Sequence, residues 1–179
     1  MKLADFDPAV VVTASKIKLL VLDVDGVLTD GRLYFTNNGD EFKAFNSLDG
    51  HGIKMLQKSG VVVAVITGRT SHIVEARTKA LGIQHLIQGR EDKLSALEEL
   101  LQILPIAYEH IAHIGDDYPD LPLIRKLGLG MTVANGHWVI KQHAQWQSQF
   151  NGGEGAVREA CDFIMLAQNN FDRALEDYL

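Results

Sequence analysis

The chain has 179 residues, 46% hydrophobic and 22% charged, with a formal net charge of −6. That length buries a core without staples, and the acidic balance weighs against nonspecific nucleic-acid binding, which draws on a basic surface. The single cysteine, Cys161, excludes an intramolecular disulfide framework and suits a reducing compartment.

The N-terminus shows no basic segment followed by an apolar stretch, and no apolar run approaches ~18 residues. The expectation is one cytosolic domain over 1–179, with an inserted hairpin at 31–46 and a C-terminal tail and helix at 152–179. The first fifteen or so residues read as an irregular or short helical lead. KLLVLDV (18–24) is then an unbroken β-favouring run, as in a parallel strand buried on both faces. It ends in Asp23-Val24-Asp25-Gly26, where two carboxylates one residue apart should raise each other's pKa values unless something compensates them.

GRLYFTNNGDEFKAFN (31–46) breaks the rhythm: short alternating runs around Asn37-Asn38-Gly39 predict a β-hairpin. Its aromatic residues Tyr34, Phe35, Phe42 and Phe45 suit hairpin packing or a subunit interface. GIKMLQKSG (52–60) predicts a helix closed by Gly60, and VVVAVIT (61–67) a second buried strand before Gly68 and Arg69. SHIVEARTKALG (71–82) predicts a helix between a Ser71 cap and Gly82, HLIQ (85–88) a weaker strand, and EDKLSALEELLQIL (91–104) a helix carrying Lys93 near its start. IAHIG (111–115) is a strand running into Asp116-Asp117; PDLPLIRKLG (119–128) is a short helix holding Asp120; LGMTVA (129–134) is a weaker strand. EGAVREACDFIMLAQ (154–168) is strongly amphipathic, with Cys161 as a small buried apolar residue, and FDRALEDYL reads as a last helix. Strands alternating with helices imply an α/β fold: a Rossmann-like three-layer sandwich with a mainly parallel sheet, without a cap domain.

Ligands of open parallel sheets bind beyond the carboxyl ends of the strands. If the three best strands are neighbours, Asp23, Asp25, Thr67, Gly68, Asp116 and Asp117 converge. Oxygen-only donors select a hard cation such as Mg²⁺. An ionised Asp23 can attack phosphorus, and Asp25 can protonate the leaving alcohol and then deprotonate water. Thr67, nearby backbone N–H groups and Lys93 can hold the phosphoryl oxygens. Taken alone, each residue has a plainer reading: a cap or turn for Asp23, Asp25, Asp49 and Asp120, strand punctuation for Thr67-Gly68, a solvated lysine for Lys93, and surface or interface positions for Arg69, Arg77 and Arg158. His51, His110 and His113 read as structural.

DVDGVLTD (23–30), ITGR (66–69), Lys93 and GDDYPD (115–120), in that order, resemble the four motifs of the haloacid dehalogenase superfamily of phosphatases. FNSLDGHGIKML (45–56), LGIQHLIQG (81–89) and GGEGAVREACDFIMLAQ (152–168) resemble one branch, the 3-deoxy-D-manno-octulosonate 8-phosphate (KDO 8-phosphate) phosphatases of lipopolysaccharide precursor synthesis. The resemblance implies Mg²⁺ on the Asp23 carboxylate, the Asp25 carbonyl and the Asp116 carboxylate. It implies Asp117 and Asp120 around metal water or Lys93, and Thr67, Gly68 and Lys93 on phosphate. It implies a homotetramer joined through the hairpins, with a neighbour's C-terminal tail closing each site. Asp49, Arg69 and Arg158 are candidates for substrate contact. Glu154 and Leu48 stand where the branch often carries basic residues, which keeps a nonulosonate 9-phosphate open as substrate. A site with no large cap also suits a macromolecular phosphoester. A non-enzymatic phospho-acceptor, like a response-regulator receiver domain, is the alternative of another class; Asp25 speaks for turnover instead.

Overall fold

The computed structural model describes residues 1–179, the Asp177 side chain excepted. A lead helix α1 (Pro8–Ala14), capped by Asp7, precedes β1 (Leu19–Leu22). The hairpin β2 (Tyr34–Phe35) and β3 (Glu41–Phe42) follows, then α2 (Ser47–Lys58), β4 (Val62–Ile66), α3 (His72–Leu81) and β5 (His85–Ile87). The second half runs α4 (Lys93–Leu101), β6 (Ile111–Gly115), α5 (Leu121–Lys126), β7 (Leu129–Thr132), α6 (Trp138–His143), β8 (Trp146–Gln147), α7 (Ala156–Ala167) and α8 (Phe171–Leu175).

Six strands form one parallel sheet in the order β5-β4-β1-β6-β7-β8. β1 lies between β4 and β6, with Leu19 opposite both Val62 and Ile111. Alternate β1 residues feed opposite faces: Leu20 and Leu22 join the core beneath α1, α2, α3 and α7, while Leu19 and Val21 join the core beneath α4 and α5. This two-sided burial explains the unbroken apolar runs and gives the three-layer α/β sandwich. The hairpin pairs Tyr34 with Phe42 around Gly39, whose φ of 87° fits the Asn-Gly turn. Among the described residues no helix is long and apolar enough to cross a membrane.

Four elements depart from the sequence reading. α2 starts at Ser47 rather than residue 52, capped by the Asn46 side chain, which accepts from the Leu48 N–H at 2.8 Å. Gly50 and Gly52 weaken its helical signal, yet they are what the packing needs. A Cβ on Gly52 would meet the Arg158 Cα at 3.1 Å, and one on Gly50 would collide with the Arg77 guanidinium. α6 and the two-residue β8 had no periodic signal, and the helix expected over 119–128 splits into a 3-10 turn at Tyr118–Asp120 and α5. Phe163 of α7 is fully buried between Phe6 and Trp146, with ring centroids 4.7 and 5.6 Å away. Phe163→Ala should cost about 3–5 kcal/mol in urea unfolding; a loss below about 1 kcal/mol would show that this face of α7 is not core.

Candidate active site

Because β4, β1 and β6 are adjacent and parallel, their carboxyl ends bring Thr67, Asp23 and Asp116 to one edge. Asp23 is 7% exposed, and its N–H donates to the Ile114 carbonyl at 3.2 Å. The buried Lys93 ammonium lies 2.8 Å from Asp23 Oδ1 and donates to Asp120 Oδ1 at 2.6 Å. Carboxylate oxygens of Asp23, Asp116 and Asp120 lie within 4.8 Å of one another.

Asp120 is the organiser of this edge. Its Oδ1 also meets His113 Nε2 at 2.8 Å, and its Oδ2 accepts from the Asp116 and Asp117 N–H groups at 3.1 and 3.3 Å. His113 is anchored in turn on the Val21 carbonyl at 3.1 Å. Burial alone would raise the Asp120 pKa; the His113 and Lys93 bonds overcome this and hold it at about 2. Asp23 is pushed up to about 7, first by burial and then by the Asp120 charge, with Lys93 opposing. Asp116 is pushed up to about 8 by burial, then by Asp23 and Asp120. Burial would lower the Lys93 pKa, but its two carboxylates raise it, so the ammonium keeps its charge.

These groups fit a hard divalent cation. With every Asp120 oxygen engaged, Asp23 and Asp116 are the carboxylates left to face it, and without it their crowding favours protons over charge. The charge that raises Asp23 comes from Asp120, not from its near neighbour in sequence, Asp25. The Asp25 side chain turns the other way. Its Oδ1 pairs with the Lys43 ammonium and its Oδ2 lies 3.8 Å from Arg69 Nε. Gly26 follows because its φ is +94° and a Cβ there would collide with the Asp116 carboxylate. Thr29 braces the same loop, its hydroxyl accepting from the Gly26 and Gly31 N–H groups at 3.3 Å.

Thr67 is buried, and its Oγ1 accepts from the Arg69 N–H at 3.4 Å; Gly68 between them is half-buried. Arg69 donates to Glu41 of the hairpin at 2.8 Å, which puts it at the mouth of the site.

Three predicted residues sit elsewhere. Asp117 is exposed and caps the following turn, accepting from the Tyr118 N–H at 2.8 Å; the partner of Lys93 is Asp120. Asp49 is buried at the start of α7, where it accepts from the Arg158 N–H at 2.8 Å and is pushed up to about 6 by burial, against bonds from backbone at Arg158, Gly155 and Val157. Its carboxyl caps a helix and does not face the acidic edge. Arg158 clasps Asp162 one turn along α7, through Nε at 2.8 and 2.9 Å, and lines a cavity with Leu48, Phe150 and Glu154. The segment 152–153 packs on this chain's own loop: the Gly153 N–H donates to the Val27 carbonyl, and Gly152 donates to Asn135 Oδ1, both at 2.9 Å. Lys43, Glu41, Thr29 and His113 were missed as site residues. Inward alternation on the hairpin, a Thr within the first motif, and a lone polar residue in a buried strand are the signals that mark them.

A haloacid dehalogenase-like hydrolase family model matches residues 81–160. The 3-deoxy-D-manno-octulosonate 8-phosphate phosphatase KdsC of Salmonella typhimurium is 48% identical over 167 residues, covering 93% of this chain and 89% of that protein. The protein of the same name from Escherichia coli K12 is 48% identical over 165 residues, with coverage of 92% and 88%. The structure of the Moraxella catarrhalis 3-deoxy-D-manno-octulosonate 8-phosphate phosphatase, in complex with magnesium ion, phosphate ion and KDO, superposes with a TM-score of 0.93. It is 45% identical and covers 95% of this chain and 98% of its own. Sequence, fold and the acidic edge agree: the chain belongs to the haloacid dehalogenase-like hydrolases, in the family of the 3-deoxy-D-manno-octulosonate 8-phosphate phosphatases.

Proposed function

We propose that this chain hydrolyses KDO 8-phosphate to KDO and inorganic phosphate, as a step of lipopolysaccharide precursor synthesis in the cytoplasm. The observation that carries the reading is the Asp23 carboxylate at the end of the central strand, bonded through Oδ1 to Lys93 at 2.8 Å and sharing one acidic edge with Asp116. The names of the relatives support the substrate.

The chain's own groups divide the reaction. A free Asp23 oxygen attacks phosphorus while the ester P–O bond breaks, and the Asp25 carboxyl gives its proton to the departing alkoxide. Water then attacks the phosphorus of the aspartyl-phosphate and loses a proton to Asp25. The bond to Asp23 breaks, and inorganic phosphate leaves. Lys93, Thr67 and the N–H groups around Gly68 hold the phosphoryl oxygens, where positioning and charge do most of the catalysis. Asp23, the Asp25 carbonyl and Asp116 would hold Mg²⁺, which supplies charge neutralisation for the carboxylates and phosphoryl oxygens. Asp120 keeps Lys93 and the Asp116 turn in place.

The assembly is a homotetramer in this reading, joined through hairpin 31–46, with a neighbour's tail closing the site. The hairpin's exposed Leu33, Phe35 and Phe42 support the first part. One buried free thiol, Cys161, suits the reducing compartment.

Asp23→Asn should lower turnover of KDO 8-phosphate by about 10⁴-fold or more with circular dichroism unchanged; activity within tenfold of the wild type would refute the nucleophile. The raised pKa values of Asp23, about 7, and Asp116, about 8, mean that the cation displaces protons below about pH 8. Calorimetric Mg²⁺ affinity should therefore weaken as pH falls from about 8 to about 6, by up to about tenfold per unit for each proton displaced. A pH-independent affinity would contradict this placement of the ligands.

A further inference from the structure

Each of the two carboxylates assigned to the chemistry has its own lysine. Lys93 is bonded to Asp23, whereas Lys43, on the inserted hairpin, is paired with Asp25 Oδ1. Lys43 follows β3 directly, and its neighbours Phe42 and Ala44 are exposed. Its own side chain is only 2% exposed. The strand alternation that turns Phe42 outward turns Glu41 and Lys43 inward. A buried ammonium is tolerated only when paired, and Lys43 has Asp25 on one side and Glu41 Oε1 at 3.5 Å on the other. Arg69 completes a ring, at 2.8 Å from Glu41 and 3.8 Å from Asp25 Oδ2. Two cations and two carboxylates thus link three separate segments of chain.

The two oxygens of Asp25 are unlike. Oδ1 is held by Lys43; among the described residues the ion pair recorded for Oδ2 is with Arg69, and its 3.8 Å is beyond a hydrogen bond. We propose that Lys43 is a positioning residue for proton transfer, fixing Asp25 through Oδ1 so that Oδ2 is the oxygen that exchanges the proton. As the ester P–O bond breaks, the Oδ2 proton passes to the leaving oxygen, and the carboxylate left behind stays paired with the Lys43 ammonium. The pairing therefore strengthens as charge develops on Asp25. The inserted hairpin is in this way part of the reaction machinery as well as a wall of the site. The inference rests on the phosphomonoesterase reading and its assignment of Asp25.

Leaving-group dependence tests it. KDO 8-phosphate is an alkyl phosphate whose leaving oxygen needs a proton; p-nitrophenyl phosphate releases a stable phenolate that does not. With Mg²⁺ present, Lys43→Met should lower kcat/KM for the alkyl ester about 30-fold more than for the aryl ester, a fraction of what general acid catalysis contributes. Lys43→Arg, which keeps the charge on Asp25 Oδ1, should restore most of that ratio. If Lys43→Met does not fold, as judged by circular dichroism, Lys43→Gln carries the same comparison. Equal losses on both esters would mean that Lys43 only holds the hairpin, and no loss on either would mean it does nothing; both overturn the inference. Asp25→Asn separates the two levels. A selective loss in Asp25→Asn without one in the Lys43 variants sinks the Lys43 role alone. Equal losses on both esters in Asp25→Asn sink the assignment of Asp25 and the inference together.

Discussion

One buried ammonium makes this site feasible. Lys93 bonds to both Asp23 and Asp120, at 2.8 and 2.6 Å, inside an edge that also carries Asp116. Three carboxylates this close cannot all stay charged on their own. The lysine, together with His113, holds the pKa of one of them, Asp120, at about 2, so it stays ionised at neutral pH, while those of Asp23 and Asp116 are pushed up to about 7 and about 8. The pair with raised values is the pair whose charge a divalent cation would recover. Asp120 thereby acts as ballast: a permanent negative charge, fully hydrogen-bonded, that fixes both the lysine and the turn bearing Asp116.

The fold delivers these groups through its strand order. β1 is where the order of the parallel sheet reverses, with β4 on one side and β6 on the other, so the loops after these strands diverge and open a crevice there. Close backbone packing then finishes the site. A Cβ on Gly26 would strike Asp116, and one on Gly152 would strike the Gly26 backbone. The loop after β1 is therefore clamped between the β6 turn and the segment leading into α7, whose first turn is capped by the buried Asp49.

The architecture was legible because it rests on local patterns. Unbroken apolar runs marked β1, β4 and β6, and a glycine at φ 74° closed α3 where Gly82 was expected. The convergence of Asp23, Thr67 and Asp116 followed from strands ending in polar residues. The rest was out of reach for a different reason: it depends on partners far apart in the chain. Asp49 looks like a cap for its own helix, but its oxygen accepts from the N–H of Arg158. The charge facing Asp23 comes from Asp120, although Asp25 is the closer neighbour in sequence. Lys43 and Glu41 look like ordinary hairpin charges until the hairpin folds back onto the loop after β1. Asp117 and Asp120, alike in sequence, are divided by one 3-10 turn that exposes the first and buries the second.

The central claim is that an oxygen of Asp23 bonds to phosphorus between two displacements. The stereochemical course at phosphorus tests it most directly, using a substrate ester of isotopically chiral thiophosphate and analysing the inorganic thiophosphate released. Two in-line displacements, the first by Asp23 and the second by water, predict net retention of configuration. Net inversion would mean that water attacks the ester directly, and would contradict the account.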